Sequence, residues 1–378
     1  MKTLIDARHL VKVYGDAKKP AVNDVSFQIP QGEFFVIMGL SGSGKSTVLR
    51  MINRLIDSTS GELVLDGESL PDMDARRLRE VRNSTINMVF QHFAIFPHRT
   101  VLDNAAYGLK VRGVSQKERE ERATWALETV GLGDWLHRYP SNLSGGMRQR
   151  VGLARALATD SEILLMDEPF SALDPLIRRS MQDLLIHLQR ELKKTIVFVT
   201  HDLNEAMRLG DRIMVMRDGS IVQLGTAEEI LSAPADDYVA EFIDDVDRSR
   251  VVTAQSAMQR PKLTAALSQG SGEVLAGMEQ LGLDAAYVLN EHDQVLGSIT
   301  RTALQHADPG HRDWGSLLSD DFDLVPAPTP LNECFERVGG HGVPLGVVGE
   351  DRRLLGVLPR AVLLSTLSHR KADSHAHA

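Results

Sequence analysis

The sequence has little of what a secreted or membrane-spanning chain needs. Its 378 residues include a single cysteine, Cys334, so no internal disulfide can form, which favours a reducing compartment. The longest apolar runs, such as residues 34–40 and 163–166, are far shorter than the ~20 residues of a transmembrane helix. Polar residues occur throughout the first twelve positions, MKTLIDARHLVK, which lack the apolar core and cleavage site of a signal peptide. We therefore expect a soluble, cytoplasmic protein.

The chain also lacks an excess of positive charge. The chain has 42 Lys and Arg against 51 Asp and Glu, a net charge of −9. A surface that binds nucleic acid needs clustered cations, so no nucleic-acid partner is expected. Apolar residues make up 43% and charged residues 25%, as in ordinary globular proteins, which argues against extended disorder. The length favours two domains.

Short apolar runs along the first 250 residues indicate buried strands. Helical periodicity lies between the later runs, at residues 180–193 and 203–209, and this alternation predicts an α/β domain whose sheet is covered on both faces. Residues from about 92 to 158 contain few strand signals and are interpreted as a helical insertion. The apolar runs lie at residues 10–13, 25–29, 34–38, 63–65, 86–90, 163–166, 196–199 and 213–216.

The pattern changes near residue 250, so residues 1–250 are predicted to form one domain and 251–370 another. Residues 287–301 align with residues 346–360 at an offset of 59, and each copy predicts a strand, a polar turn, a strand and a helix start. Two copies favour a small pseudo-symmetric domain. Residues 371–378 have no apolar pattern and are expected to be a disordered tail.

The strongest motif is GLSGSGKST at residues 39–47, which follows a predicted strand and opens a helix. Glycines let successive backbone N–H groups point at phosphates, and the helix N-terminus adds partial positive charge. The spacing predicts a polyphosphate site in which Lys45 reaches the β- and γ-phosphates and Ser46 ligates Mg²⁺. The candidate nucleotide-binding residues in this loop are Gly39, Ser41, Gly42, Gly44, Lys45, Ser46 and Thr47.

Two carboxylates, Asp167 and Glu168, follow the apolar run at residues 163–166. Ligands of open α/β sheets bind at the carboxyl edge of the strands, so both carboxylates are expected near the phosphate loop. Asp167 is the candidate Mg²⁺ ligand, and Glu168 is the candidate that orients and polarises the attacking water. Without the phosphate loop, a solvated acidic strand end would be the simpler interpretation.

Residues 143–150, LSGGMRQR, resemble the signature motif of ABC ATPases. Ser144 is a good helix N-cap, and the two glycines allow backbone to approach an anion closely. The resemblance implies an ABC-type P-loop NTPase, with a mixed sheet and a helical subdomain, that hydrolyses ATP. It also implies that Ser144, Gly145 and Gly146 contact the γ-phosphate of ATP held by a second ATP-binding subunit, in a head-to-tail homodimer.

Further ABC elements follow in the expected order. Tyr14 resembles the aromatic residue that stacks on adenine, and Gln91 resembles the Q-loop glutamine, which senses Mg²⁺ and the γ-phosphate. Asp174 closes a segment, SALD, that resembles the D-loop of the dimer interface, and His201 resembles the switch histidine that contacts the γ-phosphate. The resemblance therefore implies catalytic roles for Lys45, Glu168 and His201, and metal ligation by Ser46, Gln91 and Asp167.

Residues 1–250 are further similar to the ATPase subunits of glycine betaine and proline betaine uptake systems. Pro169 departs from that subgroup, in which Ala is expected. The stretches that carry the similarity are FVIMGLSGSGKST at 35–47, VFQHFAIFPHRTVLDN at 89–104, LSGGMRQR at 143–150, SALDPLIRR at 171–179 and DYVAEFIDDVDRS at 237–249.

The repeat in residues 251–370 resembles a tandem pair of cystathionine β-synthase-type (CBS) modules, a regulatory domain common in these subunits. Gly297 and Gly356 fit the module. Ala303 and Val362 stand where an adenylate-binding module usually has Asp, six residues after this glycine. A response to ionic strength, or bracing of a dimer, is therefore expected at least as much as nucleotide binding.

The resemblance implies the ATP-hydrolysing subunit of an importer for a quaternary ammonium compound, such as glycine betaine, proline betaine or choline. An importer of another small solute, such as an amino acid, is the alternative. The implied partners are a transmembrane permease subunit, for which the apolar stretch 92–101 is the docking candidate, and indirectly an extracytoplasmic solute-binding protein. The implied location is the cytoplasmic face of the inner membrane.

Overall fold

The computed structural model describes residues 2–89, 95–171, 173–244, 249, 251–307, 314–338 and 342–368. Predictions for Gln91, for residues 92–94 and for the tail therefore lie outside the described residues. The chain divides into two compact units, Met1–Val246 and Asp247–Ala378. In the part of the chain that is described, no helix has the length and apolar character needed to cross a bilayer.

The described elements of the first unit comprise strands β1–β10 and helices α1–α10. The strands are β1 (Thr3–Lys12), β2 (Val22–Pro30), β3 (Phe34–Met38), β4 (Ser60–Leu65), β5 (Glu68–Ser69), β6 (Ile86–Val89), β7 (Ile163–Asp167), β8 (Thr195–Thr200), β9 (Arg212–Arg217) and β10 (Ser220–Gly225). The helices are α1 (Lys45–Ile52), α2 (Ala75–Ser84), α3 (Val101–Ala105), α4 (Tyr107–Val111), α5 (Gln116–Thr129), α6 (Gly145–Ala158), α7 (Pro175–Leu192), α8 (Leu203–Leu209), α9 (Ala227–Ser232) and α10 (Asp237–Ile243).

The central sheet of the first unit is mixed, as predicted. Its described strand order is β10-β9-β3-β8-β7-β6, with β10 antiparallel to β9 and the other neighbours parallel. Strands β3, β7 and β8 are buried along their whole length. Strands covered on both faces read as continuous apolar runs, which explains why the sequence revealed them.

The N-terminal strands depart from the prediction of a single sheet. They form a second, antiparallel sheet of described order β2-β1-β4-β5. In β2, Val25, Phe27 and Ile29 are buried and alternate with exposed residues, as in an antiparallel sheet with one face on the core. β1 begins at Thr3, well before the apolar run at residues 10–13. The sequence pattern did not reveal this start, because register shifts in the pairing with β2 interrupt a simple alternation of buried and exposed residues.

Helices α3 to α6 lie within residues 95–158, the described part of the stretch that the sequence analysis interprets as a helical insertion. α6 packs against α3, α4 and α5, and also against β6 and α7, so it joins the insertion to the sheet. The N-caps of α6, α7 and α8 are Ser144, Asp174 and Asp202, whose side chains accept backbone N–H bonds. Motif residues therefore stand where these helices begin.

The second unit contains the predicted repeat as two sheets with the same topology. The order β11-α12-β12-β13-α13 recurs as β14-α14-β15-β16-α15, and in each sheet the first pair of strands is parallel and the second antiparallel. The strands are β11 (Thr264–Ala266), β12 (Ala285–Leu289), β13 (Val295–Thr300), β14 (Leu324–Pro326), β15 (Leu345–Val348) and β16 (Leu354–Leu358). The helices are α11 (Ala254–Ala257), α12 (Ser271–Leu281), α13 (Arg301–Gln305), α14 (Leu331–Arg337) and α15 (Arg360–Ser368).

Tyr287 of β12 connects the two halves of this unit. The residue is 2% exposed, and its hydroxyl lies 2.8 Å from the carbonyl oxygen of Pro344 and 3.3 Å from that of Asp323. Its ring stands nearly perpendicular to Phe322, with 5.8 Å between centroids. Burial raises the pKa of the Tyr287 hydroxyl, so the group stays protonated and donates.

We predict that Tyr287→Phe lowers the local stability of the second unit by about 1–3 kcal/mol, because a buried carbonyl loses its donor. Hydrogen–deuterium exchange of the full chain measures this directly: amides of β12 and β15 should exchange faster, while those of β3 and β8 should not change. Tyr139→Phe, at a tyrosine that is 48% exposed in the first unit, is the control. Unchanged exchange in β12 and β15 would contradict the link.

Candidate active site

The loop between β3 and α1 is shaped by glycines. Gly39, Gly42 and Gly44 have positive φ angles. Gly44, the N-cap of α1, has φ 100°, and a Cβ atom there would lie 2.4 Å from the carbonyl oxygen of Ala21. Only glycine fits both the conformation and the space, and the loop therefore brings bare backbone to the start of a helix, where an anion is stabilised.

Lys45 is folded into this loop. Its Nζ donates to the carbonyl oxygens of Gly39 at 2.7 Å and Leu40 at 2.9 Å, and the residue is 5% exposed. Burial lowers the pKa of Lys45, while the charges of Glu168 and Asp167 raise it. The ammonium is thus held inside the loop and within the field of both carboxylates.

Ser46 and Asp167 meet at the start of α1. The Ser46 hydroxyl donates to Asp167 Oδ1 at 2.7 Å, and Asp167 is 8% exposed. A hydroxyl and a carboxylate are the hard oxygen donors that suit Mg²⁺, so the predicted pair fits that ion. Arg50 Nη2 lies 3.4 Å from Asp167 Oδ2, a partner that the sequence analysis missed. The available signal was its spacing of four residues from Ser46 on one helix.

Glu168 and His201 form the second contact of this site. His201 Nδ1 lies 3.1 Å from Glu168 Oε2, and the backbone N–H of Glu168 donates to the carbonyl oxygen of Val199 at 3.1 Å. Glu168 has φ 45°, a left-handed conformation that is uncommon for residues other than glycine. Such local strain tends to occur where a side chain must take a particular direction.

Strand register brings these residues to one edge of the sheet. Met38 of β3 pairs with Thr200 of β8, and Asp167 of β7 pairs with Val199 of β8. The phosphate loop, Glu168 and His201 follow these strand ends directly. The structure therefore assembles Lys45, Ser46, Asp167, Glu168 and His201 into one group.

The signature segment lies beside the start of α7. Ser144 Oγ accepts from the Met147 N–H at 3.3 Å, and Gly146 faces Ile177 of α7. Asp174 Oδ1 accepts from the Ile177 N–H at 3.0 Å. Ser144, Gly145, Gly146 and Asp174 therefore form a second group, at the N-terminal ends of two neighbouring helices.

Gln149 connects the two groups. It is 2% exposed, and its Nε2 donates to the carbonyl oxygen of Pro169 at 2.5 Å. Pro169 directly follows Glu168, so α6 touches the segment that carries this carboxylate. The sequence analysis missed Gln149, and the only available signal was an amide within an otherwise apolar helix face.

The remaining candidates lie near the loop or outside the described residues. Tyr14 is 45% exposed, its hydroxyl lies 3.4 Å from Thr47 Oγ1, and Lys12 Nζ is 5.2 Å from its ring centroid. Ser41 is exposed on the loop. Gln91 lies outside the described residues. An exposed aromatic ring next to α1 leaves room for a planar base.

Comparisons with known proteins identify the family. The sequence profile described as ABC transporter matches residues 22–171. The chain is 48% identical over 347 residues to the glycine betaine transport ATP-binding protein OpuAA of Bacillus subtilis, with 92% of this chain and 83% of that protein covered. It is 46% identical over 356 residues to the glycine betaine/proline betaine transport system ATP-binding protein ProV of Escherichia coli, with 93% and 89% covered. The chain belongs to the ATP-binding proteins of ABC transporters.

A solved structure agrees with this family. The ATP-binding cassette MJ0796, in a dimeric post-hydrolysis state bound to ADP and Pi, is 36% identical with a TM-score of 0.55. The match covers 59% of this chain and 99% of the cassette. The family and this structure confirm the predicted ABC-type P-loop fold and the ATPase activity. The identities of 48% and 46% to OpuAA and ProV confirm the predicted resemblance to the betaine subgroup. The sequence-based roles of individual residues remain predictions.

We predict that Gly146→Ala destabilises this ABC ATPase. A Cβ atom at Gly146 would lie 2.4 Å from Ile177 Cγ2, and a β-branched side chain is stiff at χ1, so α6 and α7 must move apart. The expected loss is about 1–3 kcal/mol in the free energy of unfolding. Gly145→Ala is the matched control, since a Cβ atom there meets nothing within 4 Å. Thermal unfolding of the two variants makes the comparison.

A double variant tests the cause. Ile177→Ala removes the opposing methyl group, so adding Gly146→Ala to that background should cost less than adding it to the natural chain. Equal unfolding temperatures for Gly145→Ala and Gly146→Ala would show that the two helices do not approach so closely.

Proposed function

We propose that this protein is the ATP-hydrolysing subunit of an importer for a quaternary ammonium compound, such as glycine betaine, proline betaine or choline. The observation that carries the proposal is the extent of the similarity to glycine betaine transport ATP-binding proteins. It spans 92% to 93% of this chain, and so includes much of the second unit as well as the ATPase unit. A similarity to ABC ATPases in general would cover the ATPase unit and would not extend over the second unit.

The first group of site residues supports hydrolysis by direct water attack on the γ-phosphate. The phosphates of ATP bind the glycine-rich loop and the start of α1, and Lys45 turns from the loop carbonyls toward them. Glu168 accepts a hydrogen bond from the attacking water and aims it, while His201, 3.1 Å from Glu168, holds that carboxylate and contacts the γ-phosphate. Tyr14 stacks on the adenine.

Ser46 and Asp167 are the proposed Mg²⁺ ligands, with Gln91 as the third candidate from the sequence. The Ser46 hydroxyl and the Asp167 carboxylate are already in contact, so both oxygens are available at one position. A bound Mg²⁺ neutralises charge on the β- and γ-phosphates. Arg50, on the other carboxylate oxygen, keeps Asp167 oriented.

The second group supports a head-to-tail homodimer in which Ser144, Gly145, Gly146 and Asp174 face the ATP of the partner subunit. Two large apolar side chains are exposed where such a dimer would form: Leu40 in the phosphate loop, at 56%, and Leu176 just after Asp174, at 78%. Burial of these two on dimer formation would contribute stabilisation. The similar cassette was solved as a dimer.

The transport role requires further partners. ATP hydrolysis drives transport through a permease subunit, and residues 92–101 of this chain are proposed as the site on which the permease docks. Within that stretch Ile95 and Phe96 are half-buried, and Phe96 packs on Tyr107 with 4.6 Å between ring centroids. An extracytoplasmic solute-binding protein selects the solute, and the ATPase works at the cytoplasmic face of the membrane.

The second unit is proposed to be a tandem CBS-like regulatory domain. The support is its two copies of one βαββα topology, which bury Tyr287 between them. Ala303 and Val362 supply no carboxylate for a ribose, so regulation by ionic strength, or bracing of the dimer, fits these positions better than adenylate binding.

We predict that Glu168→Gln keeps ATP binding and lowers turnover about 100-fold or more, because a neutral amide lacks the negative charge and the basicity with which a carboxylate polarises the attacking water. MgATP hydrolysis and equilibrium binding of a fluorescent ATP analogue, measured on the assembled transporter, separate the two effects. Glu162→Gln, at an exposed glutamate just before β7, is the matched control and should leave both unchanged. Near-normal hydrolysis by Glu168→Gln would remove Glu168 from this role.

The proposed solute is tested by uptake of labelled glycine betaine, choline and proline in cells that carry the whole transporter, at low and high external salt. Uptake of a quaternary ammonium compound that depends on Glu168 supports the proposal, and activation by salt supports regulation by the second unit. If ATP hydrolysis is intact and none of these solutes enters, the solute class is wrong, and labelled amino acids become the next substrates to test.

A further inference from the structure

Arg178 on α7 contacts two segments of the ATPase unit that belong to different sequence motifs. Its Nη2 donates to the carbonyl oxygen of Leu173 at 3.2 Å, and its Nη1 donates to Asp202 Oδ2 at 3.2 Å. Leu173 lies in the segment 171–174, and Asp202 directly follows His201. One guanidinium therefore joins the start of α7 to the start of α8, and its planar, forked donors suit two acceptors at once.

The residues on either side of His201 are held by the same network. Thr200 Oγ1 donates to Glu205 Oε2 at 2.7 Å and accepts from the Asp202 N–H at 3.0 Å. Asp202 Oδ1 caps α8 by accepting from the backbone N–H of Asn204 and Glu205. Glu205 is 5% exposed, and Arg178 Nε lies 3.7 Å from its Oε1. His201 thus sits between two anchored neighbours.

These contacts form a closed ring that includes Glu168. Ser171 Oγ donates to the carbonyl oxygen of Glu168 at 3.0 Å, and the Glu168 side chain lies 3.1 Å from His201. From His201 the ring continues through Asp202 and Arg178 to Leu173, two residues after Ser171. Each step is a hydrogen bond or a short stretch of backbone, so the position of segment 171–174 and the contact between Glu168 and His201 depend on each other.

We propose that Arg178 is a positioning residue for ATP hydrolysis: it ties segment 171–174 to the His201 loop and so keeps His201 on Glu168. This inference rests on the proposed roles of Glu168 and His201. The contacts of Arg178 described above are with Leu173, Asp202 and Glu205 rather than with the phosphate loop. Its loss therefore affects the geometry of the chemical step and leaves the phosphate loop, where ATP binds, in place.

A purely structural role for Arg178, as a brace between α7 and α8, predicts a different result. Arg208 offers the matched comparison, because it braces the same two helices through Gln182, at 2.8 Å, and Asp183, and its contacts do not include Leu173 or Asp202, the two hydrogen-bond acceptors of Arg178. Arg179, the exposed neighbour of Arg178, controls for loss of a positive charge on α7.

The test measures kcat, KM for ATP and the thermal unfolding temperature of the full chain, assembled in its transporter, for Arg178→Ala, Arg208→Ala and Arg179→Ala. We expect kcat of Arg178→Ala to fall about 10- to 100-fold with KM within about twofold, the pattern of lost geometry at the chemical step. Arg208→Ala should unfold at a lower temperature but keep kcat within about twofold. Arg179→Ala should change neither quantity.

Arg178→Lys keeps the charge with a single donor head, which cannot serve both Leu173 and Asp202 in the planar fork of the natural residue. The kcat of Arg178→Lys should lie between those of the natural chain and Arg178→Ala. If Arg178→Ala fails to fold, Arg178→Lys alone tests the positioning role. The inference is overturned if Arg178→Ala and Arg178→Lys keep kcat within twofold, or if Arg208→Ala loses kcat to the same extent. Glu168→Gln, measured in parallel, reports separately on the proposed role of Glu168.

Discussion

The in-register pairing of three buried parallel strands, β3, β8 and β7, is the constraint on which the site depends. Met38 lies opposite Thr200, and Asp167 lies opposite Val199. The chain leaves each strand at the same edge of the sheet, so a phosphate-binding loop, a carboxylate and a histidine arrive together. Ser46 and Asp167 are 121 residues apart in the sequence, and Glu168 and His201 are 33 residues apart. No single motif could create the site, because each supplies only one part of it.

Hydrophobic burial alone does not set this register. Each of the three strands is apolar on both faces, so sliding one by a residue would exchange one buried side chain for another. Polar contacts at the strand ends favour the observed register over a shifted one. Ser46 bonds to Asp167, and the Glu168 N–H bonds to Val199, and a slip would leave these groups buried without partners. Contacts at the proposed catalytic site thus also specify the fold around it.

The sequence was sufficient for elements that depend on local pattern. The runs at 34–38, 163–166 and 196–199 became β3, β7 and β8, and the periodic stretch 203–209 is α8. The separate antiparallel sheet was missed because its strands alternate irregularly around bulges. Gln149, Arg178 and Glu205 were also missed, because their partners lie on other elements and a contact between elements has no local signature. The motifs were recognisable since the binding of phosphate imposes fixed spacing, whereas the network that aligns them can be built in many ways.

Helices α6 and α7 give the two groups of the site a mechanical connection within one chain. Each begins at a residue proposed to face the partner subunit, Ser144 or Asp174. Each then contacts the reacting segments within the next five residues, through Gln149 to Pro169 and through Arg178 to Asp202. At 1.5 Å per residue these links span only about 6–8 Å of rigid helix. In the proposed homodimer, a shift of either helix start would therefore displace the segments that carry Glu168 and His201 by a similar distance, and hydrolysis in one subunit would then depend on the position of the other.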